Sequence, residues 1–464
     1  MASTREQAEA YTYANRRMST SILRGTDEAR LDPRRRLNRA LGSGVAVGVL
    51  AVAGFGIAGV LGAGSGPELP DRGVVVVGSG GDPYVVRDGV VHPALNLASA
   101  LLVGGGEVTE IRQETLDEAP RGLPVGIPAA PDALPGAGDL VDDDWTLCAT
   151  PSETGGAPTQ TALYVSVPDA AAERGASGAT VLVEADGALW LLAEGRRYAL
   201  EPAIRDMLNL PVEPVPLPRE VVATVPEGPE ITIPGTGPGT GKRPEAALPF
   251  PARVGDLAHV ETGGSGRQHF AVRPDGLVPL TALVYTLLAG DSRQDHGISV
   301  SDAAGAPRSA ERPPGNGAWP RTVPKAAEPE RDQPVCVSTP PGGAPGDTPW
   351  QATVHLPPAL PEPAEVRPVT SSDGAPLGLL DRIYVPPGAG AVVRSTASGG
   401  SGGTYNLITD GGTAYRFVSP EAVTRLGYEA RGTPSVPRAY VDLLPTGPVL
   451  DPRTAAREQR GEDT

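Results

Sequence analysis

The chain has 464 residues, with 39 Lys and Arg against 55 Asp and Glu and a formal net charge of −16. That acidity leaves no electrostatic footprint for nucleic acid and argues against holding anionic polymers through net charge. Sixty Gly, 52 Pro and an aromatic content of 4% describe small cores joined by Pro-rich and Gly-rich connectors, not one large core.

Residues 4–7 carry a helix-start pattern, Thr4 with Gln7, and Tyr11, Ala14, Met18 and Ile22 then fall on one face at helical spacing before Gly25. This predicts an amphipathic helix of about five turns, too short and too polar to fold alone. Its apolar face needs a partner; the alternative is a helix on lipid headgroups, which Arg16, Arg17 and Arg24 favour. Asp32-Pro33 then reads as an N-cap with proline at the first helical position, followed by Arg34, Arg35 and Arg36 at headgroup level.

Residues 41–61, LGSGVAVGVLAVAGFGIAGVL, contain no charged, amide or proline side chain. At about 1.5 Å per residue such a helix spans roughly 30 Å of hydrocarbon. The run predicts one membrane-spanning helix; the apolar core of a cleaved signal is shorter, about 7 to 15 residues. Its six glycines suit close packing against a neighbouring membrane helix. Nine Arg and five acids precede the run, so residues 1–40 are expected in the cytoplasm and the acidic remainder outside.

Beyond it a pattern recurs at residues 84–102, 190–208, 270–288 and 405–426: an aromatic-led strand, an acid-Gly turn, a second strand and an apolar-periodic helix. The turns are Asp88-Gly89, Glu194-Gly195, Asp275-Gly276 and Asp410-Gly411, read as type I′ hairpins with positive φ at both central residues. Each is a ββα unit of about 25 residues, too small to stand alone, and the irregular gaps rule out a solenoid of fixed period. Between them lie short β-branched strands, among them Trp145-Thr146-Leu147-Cys148 and Pro334-Val335-Cys336-Val337. Cys148 and Cys336 both fall outside the membrane, where two thiols most simply pair with each other; the alternative is two buried free thiols.

The order of residues 11–17, Asp32-Pro33-Arg34-Arg35, one membrane helix, the run Gly126-Ile127-Pro128-Ala129-Ala130-Pro131-Asp132, Trp145-Thr146-Leu147-Cys148, a distant second cysteine, Val385-Pro386-Pro387-Gly388 and Leu426-Gly427-Tyr428 resembles EccB, the membrane component of type VII (ESX) secretion in actinobacteria. The resemblance covers nearly the whole chain. It implies a cytoplasmic head docking on EccC, EccD and EccE, further copies of the chain and a mycosin-like protease as partners, and repeats similar to a cell-wall-binding module. It also implies one disulfide closing the central domain.

Catalytic patterns are weak. Residues 235–243, GTGPGTGKR, miss the Walker A pattern at Thr236 and Arg243. Residues 399–403 match G-x-S-x-G but precede a strand where a hydrolase elbow needs a helix. Asp139, Asp142, Asp143 and Asp144 lack the Gly and distal Glu of a calcium loop, and the five His are scattered. No catalytic residue, metal or cofactor is expected.

The expected architecture is α+β: a cytoplasmic head (1–40), a transmembrane helix (41–62), and an elongated extracytoplasmic body of four irregular ββα repeats around a central β-rich domain. Repeats are assigned to 63–105, 179–212, 254–300 and 396–444; the central domain to 106–178 and, with a linker, 301–395; a further linker to 213–253; a disordered tail to 445–464. The expected function is a structural, non-enzymatic, single-pass subunit of a secretion complex. The rivals are an extracytoplasmic ATP or cell-wall hydrolase and a cell-wall-binding module.

Overall fold

The computed structural model describes residues 3–24, 69–78, 81–152, 159–166, 176–210, 212–235, 237–262, 266–290, 294–311, 315, 317–342, 350–363, 368–369, 377, 379–397 and 402–459. It divides into two compact units, Met1–Leu69 with Glu110–Glu118, and Pro70–Thr109 with Ala119–Thr464. The expected membrane segment and Arg34, Arg35 and Arg36 lie outside the described residues. Among the described residues no helix is long and apolar enough to cross a membrane.

In the first unit, residues Thr4–Arg24 form the expected helix. Its cap lies one residue earlier than the sequence suggests. The Ser3 amide donates to the Glu6 carboxylate at 2.8 Å and the Glu6 amide donates to Ser3 Oγ at 3.4 Å, so Ser3 and Glu6 make the reciprocal box and Thr4 is already helical.

The second unit is mixed α+β, built on four four-stranded sheets with one strand order and a six-stranded sheet. The first sheet holds Arg72–Val77, Pro83–Arg87 and Val90–Pro93, then helix Leu97–Gly104 and a strand beginning at Val108. The second holds Val181–Ala185, Ala188–Ala193 and Arg196–Ala199, helix Pro202–Met207 and strand Val215–Pro216. The third holds Leu257–Thr262, Gly266–Arg273 and Gly276–Leu280, helix Ala282–Ala289 and strand Asp295–Gly297. The fourth holds Gly390–Thr396, Thr404–Thr409 and Ala414–Arg416, helix Pro420–Arg425 and strand Ser435–Pro437.

Each expected ββα segment is therefore the middle of a larger unit. A strand precedes it, and a short strand after the helix returns parallel to that first strand, as in Val215 beside Val183, Asp295 beside Leu257 and Ser435 beside Arg394. A parallel return requires a crossover, and the helix supplies it. Residues 390–395, expected in the central domain, open the fourth sheet, and Val108 belongs with the first.

The connectors have a structural task. After each unit the chain runs back along the open edge of the third strand. The amides of Val91, Arg197, Leu277 and Ala414 donate to the carbonyls of Pro120, Pro226, Pro307 and Pro445 at 2.7 to 2.9 Å. Two residues on, the amides of Gly122, Gly228, Ser309 and Gly447 donate back to Val91, Arg197, Leu277 and Ala414. A Pro-x-Gly or Pro-x-Ser step thus closes each four-stranded sheet and protects its edge. The glycines are required by contact: a Cβ would lie 2.3 Å from the His92 ring at Gly122, 2.4 Å from Tyr198 at Gly228 and 2.2 Å from Tyr415 at Gly447. Where the neighbouring strand residue is Val278, the position is Ser309.

Four sheets this small cannot each hide a core, so they share them. The first and fourth share Val74, Leu102, Val392 and Leu407, with the Arg425 guanidinium donating to the Leu102 carbonyl at 2.9 Å. The second and third share Leu191, Ile204, Leu283 and Leu287. The six-stranded sheet shares a third core with the second and fourth, including Val183, Leu192, Val393 and Ile408. The order of contact is first, fourth, central, second, third. The second and fourth sheets are buried on both faces, which is why Val181-Leu182-Val183 and ALWLLA read as unbroken apolar runs.

The central sheet runs Arg382–Tyr384, Gln160–Val165, Trp145–Thr150, Val335–Thr339, Thr353–Leu356, Ala176–Ser177. Cys148 and Cys336, 188 residues apart, are directly opposed on neighbouring antiparallel strands and joined by a disulfide. Residues 450–459 are ordered, contrary to the expected tail. Pro452–Ala455 is helical, Leu450 and Ala455 are fully buried, and the Gln459 side chain donates to the Gly126 carbonyl at 2.9 Å.

The Gly228 contact gives a direct test. Gly228→Ser in the full chain should lower the unfolding free energy read from urea denaturation by roughly 1 to 3 kcal/mol of overpacking, and Tyr198→Val, copying the Ser309 and Val278 pair, should recover part of that loss. A double-mutant cycle with zero coupling would contradict the account.

Candidate functional site

Tyr11, Ala14, Met18 and Ile22 form an exposed stripe on the N-terminal helix, Tyr11 at 73%, Met18 at 65% and Ile22 at 78% exposure. Tyr13, at 59%, adds a ring that helical spacing did not select. Single exposed apolar residues are ordinary, but four on one helical face form a surface suited to a partner helix or groove.

The four turns split into three geometries. Asp88 and Gly89 have φ of 51° and 76°, and Glu194 and Gly195 have φ of 48° and 75°, so both are type I′ as expected, Glu included. Asp275-Gly276 is not. Arg273 pairs with Gly276, so the loop residues are Pro274 and Asp275, and the Pro274 φ, fixed near −65°, excludes a type I′ turn there. Gly276 instead takes φ 144°, and a Cβ there would lie 2.2 Å from the Pro307 carbonyl oxygen. At Asp410-Gly411 the left-handed residue is Gly412, φ 70°, which makes a three-residue loop closed by the Gly412 amide on the Thr409 carbonyl. Asp186-Gly187, φ 50° and 74°, is a further type I′ turn in the second sheet, readable from its Asp-Gly between apolar runs.

The phosphate-loop lookalike is a folded strap. Its Gly241 amide donates to the Val254 carbonyl and its Lys242 amide to the Gly239 carbonyl, at 2.8 and 3.0 Å, so these donors point inward and not at a ligand. A phosphate cradle needs such amides free at a helix start. Ser401 lies outside the described residues, and the strands flanking its loop are antiparallel partners. Asp143 accepts a hydrogen bond from Ser166. Among the described residues no three His, Cys, Asp or Glu gather as metal ligands.

The structure gathers one polar cluster that the sequence had left scattered. In the third sheet His259 Nδ1 bonds both Asp295 oxygens at 3.0 Å, Tyr285 donates to Asp295, and His269 stacks on Tyr285 with centroids 4.0 Å apart. His296 Nε2 meets Asp256 at 3.1 Å across the same strand pair. Burial alone would raise the Asp295 carboxyl, but the bonds from Tyr285 and His259 outweigh it and hold it below the usual carboxylate range. Burial, then the Arg267 and His259 charges, push His269 down. The cluster ties the edge strand Asp295–Gly297 to its neighbour; it contains no nucleophile poised on a base.

The family model for the type VII secretion system ESX-1 transport TM domain B, EccB, matches residues 1–461. The chain belongs to the EccB family. It is 27% identical to the ESX-3 secretion system ATPase EccB3 of Mycobacterium tuberculosis, over 96% of this chain and 88% of the relative. It is also 27% identical to the ESX-1 secretion system ATPase EccB1 of the same organism, over 98% and 94%. In fold it is similar to a chain of the intact ESX-5 inner membrane complex, TM-score 0.63 at 24% identity over 100% of this chain and 97% of that one. It is likewise similar to the EccB3 dimer from the ESX-3 core complex, TM-score 0.63 at 23% identity over 83% and 99%. EccB proteins are components of type VII secretion membrane complexes.

Because the folded pKa of His269 is depressed, its contribution is present above the ordinary His value of about 6.5 and lost as pH falls below it. The melting temperature of the full chain should decline below about pH 6.5. His269→Gln should flatten that decline, and an unchanged profile would contradict the assignment.

Proposed function

We propose that this chain is a non-catalytic, single-pass structural subunit of a type VII secretion membrane complex. Its N-terminus lies in the cytoplasm, residues 41–61 cross the bilayer, and the acidic body stands outside, a reading supported by the nine arginines that precede the apolar run. The four sheets of common strand order are four copies of one repeat, joined by the central sheet. The stripe of Tyr11, Ala14, Met18 and Ile22 docks on EccC-, EccD- and EccE-like subunits. Further copies of the chain and a mycosin-like protease meet the body, and cell-wall contact is a lesser role.

The observation that carries this reading is the exposed stripe on a chain that the EccB model matches end to end. The bonded amides of Gly241 and Lys242 support a body without phosphate chemistry, although relatives carry ATPase in their names.

Tyr11→Glu, Met18→Glu and Ile22→Glu together should abolish co-purification of the membrane partners in mild detergent while leaving the chain in the membrane fraction. Retention of the partners would contradict docking. ATP turnover by the full chain that Lys242→Ala removes would overturn the non-catalytic reading.

A further inference from the structure

The central sheet has two unlike faces. One is aliphatic, with Leu147, Leu163, Val335, Val337 and Ile383 in the core shared with the second and fourth sheets. The other carries, across adjacent strands in register, Arg382, Ala162, Cys148, Cys336 and His355. Beside that row Tyr164 and Tyr384 stack at 4.6 Å and the Thr146 and Ser338 hydroxyls bond at 2.8 Å. A disulfide among hydroxyls, an imidazole and a guanidinium sits on the polar face of its sheet.

Residues 357–363, PPALPEP, form a strap over that face, with Leu360 packed at the disulfide. Leu360 rests half-buried against the cluster of Cys148, Cys336, Tyr164 and Tyr384, Pro357 and Pro363 are buried at the two ends, and Pro358, Ala359 and Glu362 are exposed. Four of the seven residues are proline and have no amide hydrogen, so the strap is poorly suited to joining the sheet as a strand. Its attachments are side-chain bonds: Tyr164 Oη donates to the Pro361 carbonyl at 2.6 Å and Arg382 donates to Glu362 at 2.8 Å. The Glu362 side chain is 71% exposed, so that ion pair contributes little. One leucine, two buried prolines, one hydrogen bond and one exposed pair release at less cost than the whole fold.

We propose that the Cys148–Cys336 disulfide is a thiol–disulfide exchange site, opened to a dithiol reductant when residues 357–363 lift. A thiolate of the reductant attacks Sγ of Cys148, the bond between the two cysteines breaks, and Cys336 leaves as a thiolate that takes up one proton. The second thiol of the reductant then displaces Cys148, which leaves as a thiol. The cystine is reduced to two thiols and the dithiol is oxidised to a disulfide. His355 stands directly across the strand from Cys336, the leaving residue, with Cβ atoms about 5 Å apart for such neighbours. The strands stay joined afterwards by the register from Val335 opposite Ala149 to Thr339 opposite Trp145, so reduction is local and reversible.

The test treats the full-length chain in detergent with dithiothreitol, trapping free thiols with a maleimide and following native tryptophan fluorescence in parallel. Reduction should rise linearly with dithiothreitol while the fluorescence stays native, and oxidised dithiothreitol should restore the bond. Tyr164→Phe, which removes one hydrogen bond, should speed reduction about fivefold. Glu362→Gln, at an exposed position that leaves the fold intact, should speed it about twofold. Thiols that appear only together with loss of native fluorescence, at a rate independent of dithiothreitol and equal in all variants, would overturn the proposal.

Discussion

The pairing of Trp145–Thr150 with Val335–Thr339 is the constraint on which the rest depends. These strands come from halves of the chain 188 residues apart at their cysteines, and everything between them, the second and third sheets included, is a loop closed by that contact. Closing so long a loop costs conformational entropy that local structure cannot offset. The disulfide removes part of that cost, and the aliphatic face of the sheet supplies the rest by sharing its core with the second and fourth sheets.

The arrangement around that sheet follows from size. A four-stranded sheet with one or two short helices buries too little by itself, and this chain has 4% aromatic residues with which to enlarge a core. Pairing sheets through their helices gives each a second surface. The first and last sheets in the chain meet, as do the two in the middle. The C-terminal residues then run back to the first sheet, where Gln459 bonds Gly126 and Arg87 reaches the Ala456 carbonyl. A secretion subunit made this way presents many small surfaces on a frame whose parts support one another in pairs.

What the sequence displayed follows the same physics. Helix Thr4–Arg24 and the hairpins at Asp88-Gly89 and Glu194-Gly195 were legible because each rests on a local rule of spacing or backbone conformation, and the cysteine pair because there are only two thiols to join. The return strands were not. Val215–Pro216, Asp295–Gly297 and Ser435–Pro437 are two or three residues long and hold prolines, a glycine or charges, so they carry no alternating pattern. The Pro-x-Gly edge steps were legible in principle, since Pro120, Pro226 and Pro445 each precede a glycine by two positions, but they looked like linker composition. The His259, Asp295 and Tyr285 cluster joins residues up to 36 apart by tertiary contact, which single-sequence spacing does not encode.

Hydrogen exchange on the full chain, read by mass spectrometry, tests the shared-core arrangement most directly. The account predicts slowest exchange in Trp145–Thr150 and Val335–Thr339, with the first and fourth sheets opening together and the second and third opening together. Opening of the first sheet in step with the second, its successor in the chain, while the fourth stays protected would contradict it.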